Sequence, residues 1–372
     1  MNSLPTQGKK HRTHSTTKII HVVQHLAPGG LETMVLDLLQ FSTAEEIVHV
    51  VSLEGTLDDA IEKWPKLAPF KAKLFFFDKK PGTQISVLST LRELFKVIEP
   101  DVVHTHHIGP LIYGGIAARL AGVKTRIHTE HDMWHLSNDR RQKIQSLALR
   151  FVDPILVADA NKVASTLKEY FPNTKPHVIK NGIDCNRFVP GDKRLTRQQL
   201  GLPSNNYLIG TAGRLEKVKG HNILLKAFKQ LPVHIHLAIA GDGSQREELE
   251  QLASKLGIAD RVTFLGHIEN MTAFYQSLDV FCLPSLQEGF PLSSLESQAC
   301  NVPVVLTNVG AAKETLCPLS GFMAKPNRVF DLVKAVEDSL QLGHLASPRE
   351  FVVTNNDVRK MSKAYRAISL KA

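Results

Sequence analysis

Long apolar runs are missing from this 372-residue chain: no uninterrupted stretch approaches the ~18 residues needed to cross a bilayer. Residues 1–17 are polar and basic but contain no apolar segment of the kind a secretory signal carries, so they read as a flexible tail. Cysteine is sparse as well. The four present (Cys185, Cys282, Cys300, Cys317) show neither CxxC spacing nor disulfide-scaffold density, which points to free thiols and a cytoplasmic protein. The chain has no G-x-G-x-x-G dinucleotide fingerprint and no Walker A phosphate loop, which disfavours a nicotinamide dehydrogenase and excludes a P-loop site. A basic arm is absent too. The formal charge of +9 is spread evenly, with 23 Lys+Arg against 18 Asp+Glu in residues 1–180 and 22 against 18 in the remainder, so nucleic acid is not an expected partner.

One stretch concentrates charge: Lys63, Lys66, Lys71, Lys73, Lys79 and Lys80, interleaved with Trp64, Phe70 and Phe75 to Phe77. It suits peripheral contact with an anionic membrane, or else a buried strand over Leu74–Phe77 with solvated lysines at both ends.

What the chain has in abundance is alternation. Short apolar, β-branched runs (Lys18–Val23, Ile47–Leu53, Leu74–Phe77, Asp101–Thr105, Arg126–Thr129, Ile155–Ala158) are separated by helix-period segments such as Leu31–Phe41, Val87–Ile98 and Tyr113–Ala121. Runs of this kind linked by crossover helices form parallel sheets covered on both faces. The pattern restarts with Leu208–Ala212, His236–Ala240, Val262–Leu265, Val280–Pro284 and Pro303–Leu306, among helices Asn222–Gln230, Gln245–Leu256, Ser293–Ala299 and Phe330–Leu342. Between the sets, Lys180 to Asp184 and the polar sequence through about Ser204 read as an interdomain hinge. The expectation is an α/β protein of two doubly wound domains, 18–185 and 186–354, with a C-terminal helix over 355–372 that crosses back to the first. Open α/β sheets bind ligands beyond the carboxyl ends of their strands, so a cleft between the domains is the expected site.

Several segments near predicted strand ends could carry chemistry. Pro28-Gly29-Gly30 follows a strand and opens a helix, where backbone can approach an anion closely. His104-Thr105-His106-His107 and His128-Thr129-Glu130-His131 invite a metal reading, but their spacing matches no zinc pattern; imidazoles that hydrogen-bond a polyhydroxyl ligand, or that simply pack, fit as well. Gly213 to Gly220 holds Arg214, able to fork onto a phosphate, and Lys219, a point charge. Ala240-Gly241-Asp242-Gly243 is a further strand-end turn. Glu288-Gly289-Phe290-Pro291-Leu292, running on to Glu296, places one carboxylate before a helix and one inside it, with Pro291 in the first turn. That arrangement fits a sugar diphosphate at the helix N-terminus, and equally an exposed helix with two acids.

Taken in order, these segments resemble glycosyltransferases of family 4, the two-domain GT-B class. The likeness runs from Pro28-Gly29-Gly30 through Asp101 to His106, Lys180 to Asp184, Gly213-Arg214-Leu215, Lys219-Gly220, Ala240 to Gly243 and Glu288 to Glu296, then Ala299 to Val305. It covers residues 18–345. The resemblance implies that Arg214 and Lys219 hold the donor diphosphate, Glu296 binds ribose, and Glu288 with Phe290, Pro291 and Leu292 holds the transferred sugar. It implies further that Gly30 and Gly241 line the donor site and His128 lies near the anomeric centre, with His106 and His131 on the acceptor side. Such enzymes retain anomeric configuration and need no metal, because Arg and Lys neutralise the leaving nucleotide. The chain departs from the pattern where Pro291 lacks an N–H and where Ala311 follows Gly310. The function this implies is transfer of a sugar from a UDP- or GDP-sugar to a saccharide or lipid-linked acceptor, in cell-surface polysaccharide synthesis, at the cytoplasmic face of a membrane. A nucleotide-sugar epimerase of similar shape, or a catalytically silent binding subunit, is the alternative.

Overall fold

The structure, a computed structural model, describes residues 16–341 and 347–370. Positions 1–15 of the expected tail lie outside the described residues, as does Leu342; Thr17 already opens the first strand.

Two parallel sheets are built in succession. The first contains β1 (Thr17–Val23), β2 (Glu46–Ser52), β3 (Leu74–Phe76), β4 (Val102–His106), β5 (Thr125–Glu130), β6 (Ile155–Ala158) and β7 (His177–Val178), in the order β3-β2-β1-β4-β5-β6-β7. The second contains β8 (Tyr207–Ala212), β9 (Ile235–Ala240), β10 (Val262–Gly266), β11 (Val280–Leu283), β12 (Val304–Thr307) and β13 (Gly321–Ala324), in the order β10-β9-β8-β11-β12-β13. Each sheet reverses direction of growth beside its first strand, the switch point where α/β sheets bind ligands. Central strands are buried along their full length, β4 and β9 at every residue, as parallel sheets require. The covering helices repeat the 3.6-residue period; Ile85–Ile98 buries Val87, Leu91 and Phe95. The edge strands β7 and β13 are too short to leave an apolar run in the sequence.

One expectation needs correcting. The polar stretch after Asp184 is not a loose linker. Asp192 caps the helix Lys193–Gln199 by accepting from the N–H groups of Arg194 and Leu195, and buried Arg197 donates to the carbonyls of Ser277, Ser204 and Asn206 and pairs with Asp279 at 2.6 Å. A guanidinium satisfied on every side fixes the segment to the second domain. The basic-aromatic stretch follows the strand reading, with β3 over Leu74–Phe76 and Lys71, Lys73 and Lys80 exposed around it, except at Lys79. Pro65–Lys73 coils as a 3-10 turn, and Lys79 is buried, its Nζ donating to the Lys80 carbonyl 3.6 Å from Glu54.

The chain returns at its end. Helix Pro348–Asn355 lies on the second domain, where Arg349 donates to the carbonyls of Phe188 (2.6 Å), Ala299 (2.6 Å) and Cys185 (2.9 Å). Next, Asn356–Val358 passes the hinge so closely that a Cβ on Gly182 would stand 2.8 Å from the Asp357 backbone, and Ile183 bonds Asn356 and Val358. Helix Val358–Ser369 then docks on the first sheet, with Tyr365 against His104 and Thr129 and Arg366 beside Glu46. Arg349 is the knot of this return. Arg349→Met, which keeps bulk but leaves three carbonyls without their donor, is expected to lower unfolding free energy by about 2–4 kcal/mol, read from the denaturant midpoint.

Candidate functional site

The carboxyl ends of β8 and β11 carry the second-domain half of the site. Beyond β8, the loop from Gly213 closes in the turn Lys217–Lys219 and ends at Gly220, whose φ of +68° and position 2.2 Å (for a Cβ) from the Pro284 carbonyl admit no side chain. This seats Lys219 against the loop after β11. Its Nζ lies 2.7 Å from Glu288 Oε1, and Ser285 Oγ donates to the same oxygen at 2.6 Å. Glu288 is buried, and among the described residues Oε2 takes no hydrogen bond. Arg214, on the same loop, is exposed and in no ion pair among the described residues. Gly241 does something more specific than border a ligand: a Cβ there would sit 2.0 Å from the Gly213 carbonyl, so it lets the loops after β8 and β9 stack backbone on backbone. Pro291 is the N-cap and not a first-turn residue; helix Leu292–Ala299 starts one position later, with Phe290 and Leu292 buried.

The first domain closes against this half. Gly30 opens helix Gly30–Gln40 with Leu292 4.0 Å from where its Cβ would be, and a Cβ on Gly289 would stand 2.6 Å from the His131 carbonyl. Glu314 reaches across as well, its oxygens accepting from the N–H groups of Asn161 (3.0 Å) and Lys162 (2.8 Å) at the start of helix Asn161–Tyr170. A pocket of about 160 Å3 lies between Asp132, Met133, Trp134 and Lys162 on one wall and Glu288 and Gly289 on the other.

The histidines divide into two groups. His21, His104, His106, His128 and His131 are buried. His21 Nδ1 lies 3.3 Å from His106 Nε2, His106 Nδ1 is 3.2 Å from His131 Nε2, and His131 Nδ1 is 3.3 Å from Asp159 Oδ2. Burial lowers His21 to about 4 and His131 to about 3 and holds His104 and His106 far below the ordinary imidazole range, so the chain is neutral. The ligand atoms of His21, His104 and His106 lie within 4.8 Å of one another, close enough for a metal ion, but none of the three lines the pocket. His128 does not line it either: Nδ1 is 2.9 Å from Thr105 Oγ1 and Nε2 2.9 Å from Glu130 Oε1, and the ring has no exposed surface. The ring expected near the anomeric centre is thus turned to Thr105 and Glu130 and away from the pocket. His106 and His131 likewise present no free ring nitrogen; the His131 carbonyl faces Gly289. The partly exposed imidazole is His107, 3.9 Å from both Glu130 and Asp132. Burial opposes its charging, yet the two carboxylates raise its pKa.

A charged seam runs behind the helix start. Tyr275 donates to Glu296 Oε2 at 2.7 Å, and burial raises the Glu296 pKa against the pull of that bond, Arg187 and Lys66. Asp37 of the first domain is raised to about 7 by burial and then by Glu296. Desolvation and Arg187 lower the pKa of Lys66, which, though exposed, also feels Glu296 and Asp37. His107 was within reach of sequence reasoning, since it directly follows β4. Asp37 and Lys66 carry no such sign, because only the docking of the domains brings them to Glu296; Arg187 shares the second domain with Glu296 but is far from it in sequence.

Residues 192–352 match the glycosyl transferases group 1 family, and residues 28–187 match glycosyltransferase family 4. The chain belongs to these two-domain glycosyltransferases. It is 26% identical over 348 residues to the UDP-Gal:alpha-D-GlcNAc-diphosphoundecaprenol alpha-1,3-galactosyltransferase of Escherichia coli, covering 87% of this chain and 88% of that one. It is 32% identical over 237 residues to the D-inositol 3-phosphate glycosyltransferase of Xylanimonas cellulosilytica, covering 57% of each. The fold matches Anabaena Alr3699/HepE, solved in complex with UDP and glucose, with a TM-score of 0.82 at 21% identity over 96% of this chain and 100% of that one. This is the GT-B architecture.

The seam makes stability depend on pH. The folded pKa of Asp37 is raised, so its contribution is full below the ordinary value of 3.8 and is lost as pH climbs to about 7. Asp37→Asn should remove that loss and leave the protein more stable than wild type above pH 7, by about 1–3 kcal/mol, measured by denaturant titration at pH 5 and pH 8.

Proposed function

We propose that this glycosyltransferase moves a sugar from a UDP- or GDP-sugar to a saccharide or lipid-linked acceptor with retention of configuration, in the assembly of a cell-surface polysaccharide at the cytoplasmic face. The observation that carries the reading is the contact of Lys219 Nζ at 2.7 Å with Oε1 of Glu288, a residue of the pocket wall. Glu288 has a free oxygen for a sugar hydroxyl. Lys219 stands beside it, where a diphosphate would displace the ion pair or share it. The N–H groups of Leu292 to Ser294 begin a helix and have no partner one turn back, so they favour an anion. Exposed Arg214 is free to turn onto the same phosphates. Glu296, half-buried in the same helix, suits ribose hydroxyls.

In this scheme the bond from the anomeric carbon to the diphosphate breaks while the acceptor oxygen bonds that carbon from the same side. The acceptor proton passes to the departing phosphate oxygen, and Lys219 and Arg214 offset the charge that develops there. The acceptor enters along the wall of Asp132, Met133 and Trp134. Closure across Glu314 and Gly289 keeps water out. The cations take the part a metal plays in other transferases, so transfer is expected to proceed in chelator.

Incubation with labelled UDP- and GDP-sugars should give acceptor-dependent nucleotide release. Lys219→Ala should lose transfer by about 10²-fold or more while its thermal midpoint stays near wild type. Conversion of the donor sugar without an acceptor would show an epimerase, and wild-type turnover in the folded variant would remove Lys219 from the diphosphate role.

A further inference from the structure

Among the described residues no helix is long and apolar enough to cross a membrane. One helix nevertheless carries two apolar stripes. Asp139–Val152 buries Gln145, Ala148, Leu149 and Val152 against the first domain. A second stripe, Ile144, Leu147 and Phe151, follows the same helical spacing about a third of a turn away and has nothing over it, with Leu147 67% and Phe151 48% exposed. Arg140, Arg141, Lys143 and Arg150 flank it, all exposed and none in an ion pair among the described residues. The only acid on the helix is Asp139, at its first position. Trp134, 46% exposed, lies just before the helix and on the pocket wall.

We infer that this face docks the enzyme on an anionic lipid bilayer, with Leu147 and Phe151 entering the headgroup boundary and the four cations meeting lipid phosphates. The charge pattern decides the occupant. A protein partner would bury unpaired cations against matching acids on a surface of fixed shape, whereas an apolar stripe edged by unpaired Arg and Lys is what an acidic bilayer surface attracts. The buried side of the same helix reaches the site: Gln145 donates to Glu130 and holds His135 Nε2 at 2.6 Å. Docking therefore sets Trp134 and the acceptor wall at the bilayer surface, which makes a lipid-linked acceptor the substrate class. This rests on the glycosyltransferase reading above, and it moves membrane contact from the Lys63–Lys80 stretch to residues 140–151.

The test is flotation of the full-length protein with vesicles of phosphatidylcholine alone and of phosphatidylcholine mixed with phosphatidylglycerol. Wild type should float with the mixed vesicles only. Leu147→Glu combined with Phe151→Glu should cut the bound fraction about tenfold, and Arg140→Gln with Lys143→Gln and Arg150→Gln should abolish the anionic preference. Both variants should keep wild-type transfer to a water-soluble acceptor, which separates failure of docking from failure of the enzymatic reading. Capture of wild type by neither vesicle, or equal capture of wild type and Leu147→Glu/Phe151→Glu, would overturn the proposal.

Discussion

Lys219 and Glu288 stand 69 residues apart in the chain, and in the proposed reading their contact fixes where a diphosphate and a sugar would sit relative to each other. The pair works because nothing else could occupy the space. Gly220 presses on Pro284, Gly310 is at φ +52° with room for no Cβ beside the Glu288 carbonyl, and Gly241 stacks on Gly213. Four loops, beyond the neighbouring strands β9, β8, β11 and β12, are thus set by backbone contact, and only then do the charged side chains have a defined place. An ion pair of this kind, partly screened, contributes little to stability by itself. Its value is positional: it holds an ammonium close to a carboxylate until an anion competes for it.

The sheets were legible in the sequence because parallel strands buried on both faces leave continuous apolar runs, and β1, β4, β8 and β9 each show one. So were Lys219, Glu288 and Gly30, which stand just beyond such strands. The edge strands β7 and β13 were not, since two exposed residues, or four with a single buried one, show no periodicity. Nor was the helix Lys193–Gln199 inside the presumed linker, where the signal was an Asp cap and the stability comes from Arg197 bonding distant carbonyls. His128 shows the deeper limit. It lies near the carboxyl end of β5, where site residues are sought, but which of the alternating side chains faces the cleft depends on where the sheet ends. The strand runs through Glu130, so the chain turns outward only at His131 and Asp132.

That shift explains the histidine chain. With His131 capping β5, its ring points back among His106 and His21, and all three are kept neutral by burial. Each neutral imidazole can donate from one nitrogen and accept at the other. If each proton sits on Nδ1, the chain donates in one direction, from His21 to His106 to His131 and onto Asp159, which Asn181 also bonds at 3.0 Å. The hinge residue Asn181 and the cleft residue His131 are thus tied to one carboxylate. The C-terminal helix adds a second tie through Tyr365 and Thr129, so hinge, returning helix and cleft wall share one buried network.

The cleft wall is also connected outward. Glu130 is held ionised, against its burial, by His128 and His107, and it accepts from Gln145 on the helix that bears the exposed stripe. A buried carboxylate with this many donors tolerates little displacement, because losing one partner leaves charge uncompensated in a low-dielectric interior. Helix Asp139–Val152 is thus linked through Gln145 to Glu130, and Glu130 through His107 to Asp132 on the pocket wall. A surface that sets the helix against a flat boundary would, in the proposed reading, set the acceptor wall as well, while the opposite half is built on its own glycine-packed loops.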